Sequence, residues 1–461
     1  MADAMNDYVI DPADLVDLGY HTVVVASPDL QGRLVGRRVP AESFDRILRD
    51  GVEVCTCVYA WDLTQDLALV EADVFPLCGM HNGVPDVTFR PDLTTLRPAA
   101  WLDGIAICLA DPWDAAKQQF LPLSPRVILR DQIERFGELG LRAKMGTELE
   151  FYLFRNDPRE LRQAGFRGLE PTTIVPADFM IHEGNTYEPF FRKLRSDLKA
   201  SGIEMEAAQS EWGTGQWEMT FRYGDPLEMA DRHALYKLAV RDSAAAAGMS
   251  ATFMAKPLNA GQPGSSCHVH FSVLDADGAS AFWDDASPAH LGDRMLSAIG
   301  GVLQEVPTFM AWYAPTVNSY RRANSSDVAG WGRTWGLDNR TTSVRVVGHK
   351  PEDIRFEFRL PGADTNPYLT LSALLASARQ GIEQGIEPPA MTEGNGYESP
   401  VDEQVPLHLG EASAAFASSP FARSELGDEV VDHFRILLDH EWRTFLATVN
   451  DWDLDRYFDR I

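Results

Sequence analysis

The sequence has 461 residues, 45% of them hydrophobic, and its 41 basic and 68 acidic side chains give a formal net charge of −27. This balance is typical of a soluble globular protein of two to three domains, and the negative surface argues against a nucleic-acid partner because it repels phosphate backbones. No apolar run of 18 residues occurs, so we expect no membrane-spanning segment and no membrane partner.

The N-terminus and the cysteines indicate a cytoplasmic protein. The first residues, MADAMNDYVIDPADL, lack the basic start and apolar stretch of a signal peptide. The five cysteines are few for the length and include no CxxC pair, so we expect reduced thiols. Cys55 and Cys57 stand two residues apart, a spacing open to a metal pair or to simple burial, and burial is the more common of the two.

The first 120 residues predict short strands, turns and one or two helices. HTVVVASPDLQGRLVGRRV is typical of a hairpin, with Pro28, Asp29 and Gly32 as turn residues. AESFDRILRDG has helical spacing and ends on a glycine, and GIAICLADPWD predicts a strand that runs into a turn.

A second region begins at about residue 121 and has an α+β pattern. Ser124 and Pro125 predict the start of a helix, and Gly140 its end. Further helices are predicted in LEMADRHALYKLAVRDSAAAAG, in NPYLTLSALLASARQGIEQGI and in the last 60 residues. The predicted strands are KMGTELEFYLF, GQWEMTFRY, ATFMAKP, SCHVHFSV, TTSVRVV and IRFEFRL.

Four of these strands carry polar groups at every second position. Because side chains alternate across a strand, each strand directs its polar groups to one face. A further acid, Glu211, lies seven residues before Glu218 across a glycine-rich turn and is close enough in sequence to join the same cavity. The groups on the polar faces are Glu148, Glu150, Glu218, Thr220, Arg222, His268, His270, Ser272, Arg355, Glu357 and Arg359.

Several buried carboxylates are costly together unless a cation compensates them. A set of ligands rich in carboxylates favours hard ions such as Mg²⁺ or Mn²⁺. Arginines bind a phosphate or a carboxylate near those ions. Divalent metals, arginines and several acids together are the groups that catalyse phosphoryl transfer from ATP. Each element alone is more typical of a solvated strand face or a salt-bridged ladder. Spacing alone therefore indicates a metal site without identifying the reaction.

The chain resembles the glutamine synthetase family over nearly its whole length. The matching stretches, in the family's order and spacing, are GTELEFYLF, EWGTGQWE, ATFMAKP, SCHVHFS, NSYRR, DNRTTSVRV and RFEFRLPGADTNPY. The resemblance implies a small N-terminal β-grasp domain at residues 1–120. It implies a catalytic domain at 121–461, with a curved antiparallel sheet flanked by helices.

The resemblance also assigns site residues. Two to three divalent ions per site are implied, with the ligands of the metal nearer the substrate at Glu150, Glu211 and Glu218. The ligands of the metal that bridges the ATP phosphates are implied at Glu148, His268 and Glu357. Contacts to glutamate and to the transferring phosphoryl group are implied at Gly264, His268, Arg322, Arg340 and Arg359. Nucleotide-side positions are implied at His270, Ser272, Arg345 and Arg355.

The implied reaction has two steps and three small substrates: glutamate, ATP and an amine. ATP phosphorylates the γ-carboxylate of glutamate, with the metals and Arg340 offsetting charge, and an amine then displaces phosphate from γ-glutamyl phosphate. The family assembles as stacked rings with shared sites, usually as dodecamers, so the resemblance implies a homo-oligomer.

Departures from the family pattern bear on the amine. The Asp-Gly-Ser-Ser stretch that helps to bind ammonium is absent, and Val328 stands where the family's flap carries a glutamate. Asp327 lies beside it as a possible replacement in catalysis, and Pro263 stands where the family has asparagine before the glycine. Loss of both acids weakens ammonium binding and leaves volume for a larger amine.

These departures predict the γ-glutamyl-amine ligase branch, which acts on polyamines, ethanolamine, or alkyl and aryl monoamines. If Trp331 and Trp335 line the entrance, they favour an apolar or cation–π contact with the amine. Two alternatives stay open: a glutamine synthetase with a rebuilt ammonium site, and a non-catalytic ring-forming relative. The sequence does not say which amine is used.

Overall fold

The computed structural model describes residues 8–259, 261–287, 289–323, 331–399, 402 and 404–461. Its strands are β1 Thr22–Pro28, β2 Leu34–Pro40, β3 Val52–Cys55, β4 Asp86–Pro91, β5 Arg97–Pro98, β6 Ile105–Asp114, β7 Gln119–Phe120, β8 Arg142–Phe154, β9 Met205–Ser210, β10 Gln216–Phe221, β11 Ser250–Thr252, β12 Cys267–Leu274, β13 Trp335–Leu337, β14 Val344–Val347 and β15 Arg355–Phe358.

The helices separate and follow these strands. They are α1 Phe44–Asp50, α2 Ala68–Glu71, α3 Pro125–Gly137, α4 Pro158–Gln163, α5 Ile181–Ala200, α6 Pro226–Ala246, α7 Asp293–Gln304, α8 Val306–Tyr313, α9 Ser319–Ala323, α10 Pro367–Gln384, α11 Leu409–Ser418, α12 Pro420–Leu426, α13 Asp428–Ala447 and α14 Asp451–Tyr457. None of the helices so described combines the length and the hydropathy that crossing a membrane requires.

The first sheet is built before residue 121, in the strand order β2-β1-β6-β4-β3, with β5 and β7 also paired to β6. The predicted hairpin is confirmed: β1 and β2 are antiparallel, and the Asp29 side chain accepts hydrogen bonds from the backbone N–H groups of Gln31 and Arg33 in the turn. β1 runs parallel to β6. The division of the chain at residue 120 and the β-grasp character of the first part stay predictions.

The second sheet carries the polar faces. Its order is β13-β14-β15-β12-β8-β10-β9, with β11 beside β8, and all its pairs are antiparallel except β13 with β14. The predicted α+β class is therefore confirmed. Of ATFMAKP, only the beginning is a strand. The backbone of Ala255 and Lys256 is instead bonded to Ser265 and to the Asn318 side chain, which removes it from the ladder.

An apolar layer backs this sheet. Phe356 and Phe358 are fully buried, as predicted, and Phe271 stacks on Phe356 with ring centroids 5.1 Å apart. Helices α3 and α6 pack against β8, and α10 packs against both of them. Burial of these aromatic rings fixes one face of the sheet in the core and directs the alternate side chains to the other face.

The cysteines correct one expectation. The structure joins Cys55 and Cys57 by a disulfide, with Cα atoms 5.3 Å apart, whereas the sequence predicted reduced, buried thiols. The reason is local, because β3 ends at Cys55 and a 3-10 turn at Thr56–Tyr59 folds the chain back on itself. Cys78, Cys108 and Cys267 are free and buried.

Candidate active site

Strand register brings the predicted acids and imidazoles together. In the register of β8 with its neighbours, Glu148 stands opposite His268 of β12, and Glu150 stands opposite Glu218 of β10. On the far side of β12, His270 pairs with Glu357 of β15. Positions directly opposite one another share a face of the sheet, so four strands contribute to one polar surface.

The centre of this surface is a candidate metal site. Glu148, Glu218 and His268 each offer one ligand atom, and these three atoms lie within 4.8 Å of one another. Two carboxylates and one imidazole form a donor set that fits a hard divalent cation such as Mg²⁺ or Mn²⁺. Glu218 was predicted to bind the metal nearer the substrate, whereas Glu148 and His268 were predicted to bind the metal that bridges the ATP phosphates. Because the cluster contains all three, the assignment of ligands to two separate metals stays a prediction.

Glu150 is fixed by groups that sequence reasoning missed. Its Oε2 accepts a hydrogen bond of 2.8 Å from Gln216 Nε2 and another of 2.8 Å from the backbone N–H of Ser266. Gln216 Nε2 also donates to the carbonyl of Gly264 at 3.0 Å. The signal for Gln216 was its position two residues before Glu218, which places both on the same face of β10.

The carboxyl groups of Glu211 and Glu218 are buried close to other carboxylates, which disfavours their ionised forms. Gln209 Nε2 donates to Glu211 Oε1 at 3.3 Å and to Glu218 Oε1 at 2.8 Å, and no sequence signal singled Gln209 out. The pKa of Glu218 is raised to about 10 and that of Glu211 to about 8. In both cases burial is the largest cause and the negative charge of Glu150 is the second. A cation among these groups would relieve the desolvation and the repulsion that raise both pKa values.

Glu357 lies between cationic partners. Its side chain is 1% exposed, Arg345 donates to its Oε2 at 2.9 Å, and Arg359 bonds its Oε1. His268 Nδ1 lies 3.3 Å from the same Oε1. Although burial opposes ionisation, His268 and Arg359 hold the pKa of Glu357 at about 2. The carboxylate is therefore ionised at neutral pH, as a metal ligand must be.

Two consecutive hydrogen bonds connect Arg355 to Glu148 through His270. Arg355 Nε donates to His270 Nδ1 at 3.1 Å, so this nitrogen is the acceptor and His270 Nε2 carries the hydrogen that faces Glu148 Oε1 at 2.8 Å. Burial opposes ionisation of Glu148, but bonds from His268 and His270 lower its pKa well below the usual range. Ser272 lies further along β12, opposite Lys144. The nucleotide-side roles of Arg345, Arg355, His270 and Ser272 stay predictions.

Arg322 is buried. Its guanidinium donates to the carbonyls of Leu360 and Arg359 at 2.7 and 3.1 Å and to Ser266 Oγ at 2.9 Å. These bonds tie the end of β15 to the loop that holds Glu150. Burial lowers the pKa of Arg322. The predicted contact of Arg322 with glutamate stays a prediction.

Of the predicted catalytic residues that the structure describes, Arg340 is not part of this hydrogen-bonded cluster. Arg340 lies on an exposed turn after β13, beside residues 391–394, and forms no hydrogen bond with another described residue. Asp327 lies outside the described residues. Trp335 is buried, with Nε1 bonded to the carbonyl of Pro389 at 2.7 Å, and half-buried Trp331 donates to the carbonyl of Pro406 at 3.1 Å. Trp335 therefore does not present an open face to an entering amine.

Gly264 is packed too closely for a side chain. A Cβ at this position would lie 2.5 Å from the carbonyl oxygen of Ala255 and 2.8 Å from Arg322 Cγ. We expect Gly264→Ala to displace Arg322 and raise the KM for glutamate by about tenfold or more, because small shifts in positioning groups weaken substrate binding. Steady-state kinetics with Gly137→Ala as control, a helical position with open space, checks this. An unchanged KM for glutamate in Gly264→Ala would contradict it.

Metal binding should release protons near pH 7. The pKa values of about 8 and about 10 mean that Glu211 and Glu218 hold protons which a cation must displace, so binding tightens as pH rises. The same protons stabilise the metal-free fold below the pKa of an unfolded glutamate, about 4.3, and this contribution is lost as pH rises through the folded pKa values.

Calorimetry measures the released protons. Titration of Mg²⁺ in buffers of different ionisation enthalpy should give heats that depend on the buffer, with fewer protons released by Glu218→Gln than by the wild type. Heats that do not change with the buffer would show that both carboxyls are already ionised.

A separate cavity of about 740 Å³ lies between the turn after β1 and helices α6, α9 and α13. It is lined mostly by apolar side chains together with Lys237, whose pKa burial lowers to about 8. None of the predicted site residues in the described ranges lines this cavity, so it is distinct from the polar face of the sheet.

Comparisons with known proteins agree with this geometry. The family model of the glutamine synthetase catalytic domain matches residues 122–457. The chain is 39% identical over 442 residues to the γ-glutamylethanolamide synthetase GlnA4 of Streptomyces coelicolor, an alignment that covers 95% of this chain and 93% of that protein. It is 33% identical over 443 residues to a glutamate–isopropylamine ligase of a Pseudomonas species, covering 95% of each.

A solved structure also matches over nearly the whole chain. It is described as a GmaS/ADP complex, has a TM-score of 0.84 and 26% sequence identity to this chain, and the match covers 98% of this chain and 100% of that one. The resemblance stated from the motifs is therefore confirmed, both in sequence and in fold.

Proposed function

This chain belongs to the glutamine synthetase family, and from that premise we propose that it is an ATP-dependent carbon–nitrogen ligase joining the γ-carboxylate of glutamate to an organic amine. The product is a γ-glutamyl amide, formed through γ-glutamyl phosphate. The observation that carries the proposal is the polar face of the second sheet, where a Glu–Glu–His cluster lies beside a buried glutamate held by two arginines.

The first step is phosphoryl transfer, which needs positioning and charge compensation more than covalent chemistry from the protein. Divalent ions at the carboxylate cluster would neutralise charge on the ATP phosphates and on the γ-carboxylate. Arg359 and Arg345 hold Glu357 ionised and in place, while Gln216 and Ser266 orient Glu150. The γ-phosphorus–oxygen bond to ADP breaks as the bond to the glutamate carboxylate forms.

The second step is displacement of phosphate by an amine. The amine nitrogen attacks the γ-carbonyl carbon, phosphate leaves with the bridging oxygen, and the nitrogen gives up one proton. Val328 in place of an acid, and the missing Asp-Gly-Ser-Ser stretch, support an organic amine over ammonium. Two relatives, one named for a γ-glutamylethanolamide product and the other for an isopropylamine substrate, support the same preference.

The remaining expectations follow from family membership. We propose two to three Mg²⁺ or Mn²⁺ ions per site, held by Glu148, Glu150, Glu211, Glu218, His268 and Glu357. We also propose stacked rings with shared sites and a cytoplasmic location. Arg340 and Arg322 are proposed to contact the transferring phosphoryl group and glutamate.

Phosphate release tests the function. The purified protein is supplied with glutamate, ATP and Mg²⁺, and then with each member of a panel of amines or with ammonium. We expect turnover to depend on an organic amine and on glutamate. Turnover with ammonium alone identifies a glutamine synthetase, and no turnover with any nitrogen donor identifies a non-catalytic relative.

A further inference from the structure

The cavity between the turn after β1 and helices α6, α9 and α13 contains none of the described residues that the proposed reaction uses. Its volume of about 740 Å³ lies within the range of small-molecule sites, which are concave and mostly apolar with a few polar groups. We call it the apolar cavity. Among its apolar lining residues are Leu238, Phe253, Trp312, Phe434, Leu438 and Phe445.

Two arginines that line the apolar cavity have no anionic partner among the described residues. Arg241 of α6 and Arg321 of α9 are exposed, and neither side chain forms a hydrogen bond or an ion pair with a residue in the described ranges. Each guanidinium lies over an aromatic ring of the lining. Arg241 Cζ is 5.5 Å from the ring centroid of Phe253, and Arg321 Cζ is 6.0 Å from that of Phe445. A guanidinium stacked on a ring keeps its N–H groups free to donate to an anion.

Lys237 adds a second cation beside Arg241. Its Nζ donates to the carbonyls of Ala363 and Thr365 at 2.8 and 3.2 Å and lies 5.4 Å from the ring centroid of Phe253. Lys237 and Arg241 are four residues apart on α6, so their charges lie on the same side of the helix and repel each other. Burial is the largest cause that lowers the pKa of Lys237 to about 8, and the charge of Arg241 is the second. An anion bound beside the two cations would relieve this repulsion.

The acids that line the apolar cavity do not take the place of such an anion. The Asp62 side chain accepts hydrogen bonds from two backbone N–H groups of its own turn, and Asp364 accepts from the hydroxyl groups of Thr316 and Ser319. The pKa of Glu441 is raised, first by burial and second by the charge of Asp62, which favours its neutral form. None of these three acids forms an ion pair with either arginine of the lining.

A buried donor in the lining also lacks an acceptor. Trp312 is 2% exposed, and its indole Nε1–H forms no hydrogen bond with any residue that the structure describes. Its ring packs edge-on against Phe434, with centroids 5.6 Å apart. A buried N–H without an acceptor costs free energy, and a bound ligand is a source of acceptor atoms.

We propose that the apolar cavity is a binding site for an organic anion with an apolar body, such as a medium-chain or aromatic carboxylate. Its carboxylate pairs with Arg241, beside Lys237, while Phe253, Phe434 and Leu438 contact the apolar body. A neutral molecule would leave Arg241 unpaired, and an organic cation would meet like charges, so the lining favours an anion. This site is separate from the polar face of the second sheet and does not depend on the proposed ligase function.

Fluorescence titration with 8-anilinonaphthalene-1-sulfonate, an anion with an aromatic body, tests the pairing. We expect saturable binding to the wild type and a Kd that rises about tenfold in Arg241→Met, the size of one lost charge pair at a partly desolvated site. Arg294→Met is the matched control and should leave the Kd unchanged. Arg294 is an exposed arginine of α7 that forms no hydrogen bond with a described residue and does not line the cavity.

Competition for the bound probe tests the class of ligand and the place of the site. Decanoate and 1-decanol have the same chain length and differ in charge, so we expect decanoate to displace the probe at a concentration about tenfold lower. ADP with glutamate and Mg²⁺ should not displace it. Leu238→Trp introduces a larger side chain at a partly buried position of the lining and should abolish probe binding.

Four results would overturn the proposal. An unchanged Kd in Arg241→Met removes the pairing, and equal displacement by decanoate and 1-decanol removes the anionic class. Displacement by ADP with glutamate and Mg²⁺ places the probe in the active site, and the absence of saturable binding shows that the cavity is closed in the assembled protein. If circular dichroism shows that Leu238→Trp does not fold, Arg241→Met and the decanoate comparison decide, because neither changes the buried core.

Discussion

Glu357→Gln should reduce kcat/KM for glutamate-dependent ATP turnover by about a thousandfold, which is about 4 kcal/mol of transition-state stabilisation. Glu357 is 1% exposed and holds Arg345, Arg359 and His268 around its two oxygens. Glutamine keeps the shape but removes the charge, so a cation near His268 loses a ligand and the two arginines lose their shared anion. Steady-state phosphate release measures the effect.

The matched control is Glu352→Gln, the same change at an exposed position five residues earlier in the chain. We expect it to retain the activity of the wild type. If Glu357→Gln keeps more than about a tenth of the wild-type kcat/KM while folding normally, Glu357 is not part of the catalytic machinery, because lost metal ligands or electrostatic contacts cost more than that.

Arg126→Met should lower the free energy of unfolding by about 3–5 kcal/mol, because it leaves the buried carboxylate of Asp231 without its ion-pair partner and removes one of the two arginines that bond Asp111. Arg126 is 1% exposed and bonds Asp231 through two nitrogens at 3.0 Å, Asp111 at 2.9 and 3.0 Å, and Asp92 at 2.8 Å. Asp92 and Asp111 belong to the first sheet and its connections, whereas Asp231 lies on α6. The cluster thus ties the two parts of the chain together.

Urea unfolding of Arg126→Met and Arg130→Met compares the loss of a buried arginine with the loss of a partly exposed arginine that bonds the same carboxylate. The Arg130 side chain is 37% exposed and bonds Asp111 at 2.7 Å, so its loss should cost less than about 1 kcal/mol. Equal shifts of the unfolding midpoint in the two variants would show that burial does not determine how much each arginine of this cluster contributes to the free energy of unfolding.

Much of the candidate site was predictable, because strand periodicity is local. Glu148 and Glu150 lie two apart on β8, and the same spacing placed His268 with His270 and Glu357 with Arg359. The second arginine that bonds Glu357, Arg345, comes from β14 and was not given by this spacing. The same alternation predicted that Phe356 and Phe358 lie on the opposite, apolar face of the strand, and both side chains are buried. A period of two needs only neighbouring residues, so the sequence carries it directly.

The interactions that the sequence did not predict join segments that are distant from one another in the chain. Arg126 meets Asp111 and Asp231 across 15 and 105 residues, and no spacing rule encodes such pairs. Gln216 and Gln209 are neutral side chains whose importance comes only from the carboxylates they touch. ATFMAKP has strand propensity, but beyond Thr252 its backbone is bonded to loop groups instead of a neighbouring strand.

The central claim is that an organic amine, and not ammonium, completes the γ-glutamyl amide. The most direct measurement is a competition in which the wild-type protein receives glutamate, ATP, Mg²⁺ and equal concentrations of ethanolamine and ¹⁵N-ammonium, with both products quantified by mass spectrometry. The account predicts that γ-glutamylethanolamide exceeds ¹⁵N-glutamine by at least about a hundredfold, since two lost acids at about 1.4 kcal/mol each amount to that ratio. Glutamine as the main product would contradict it.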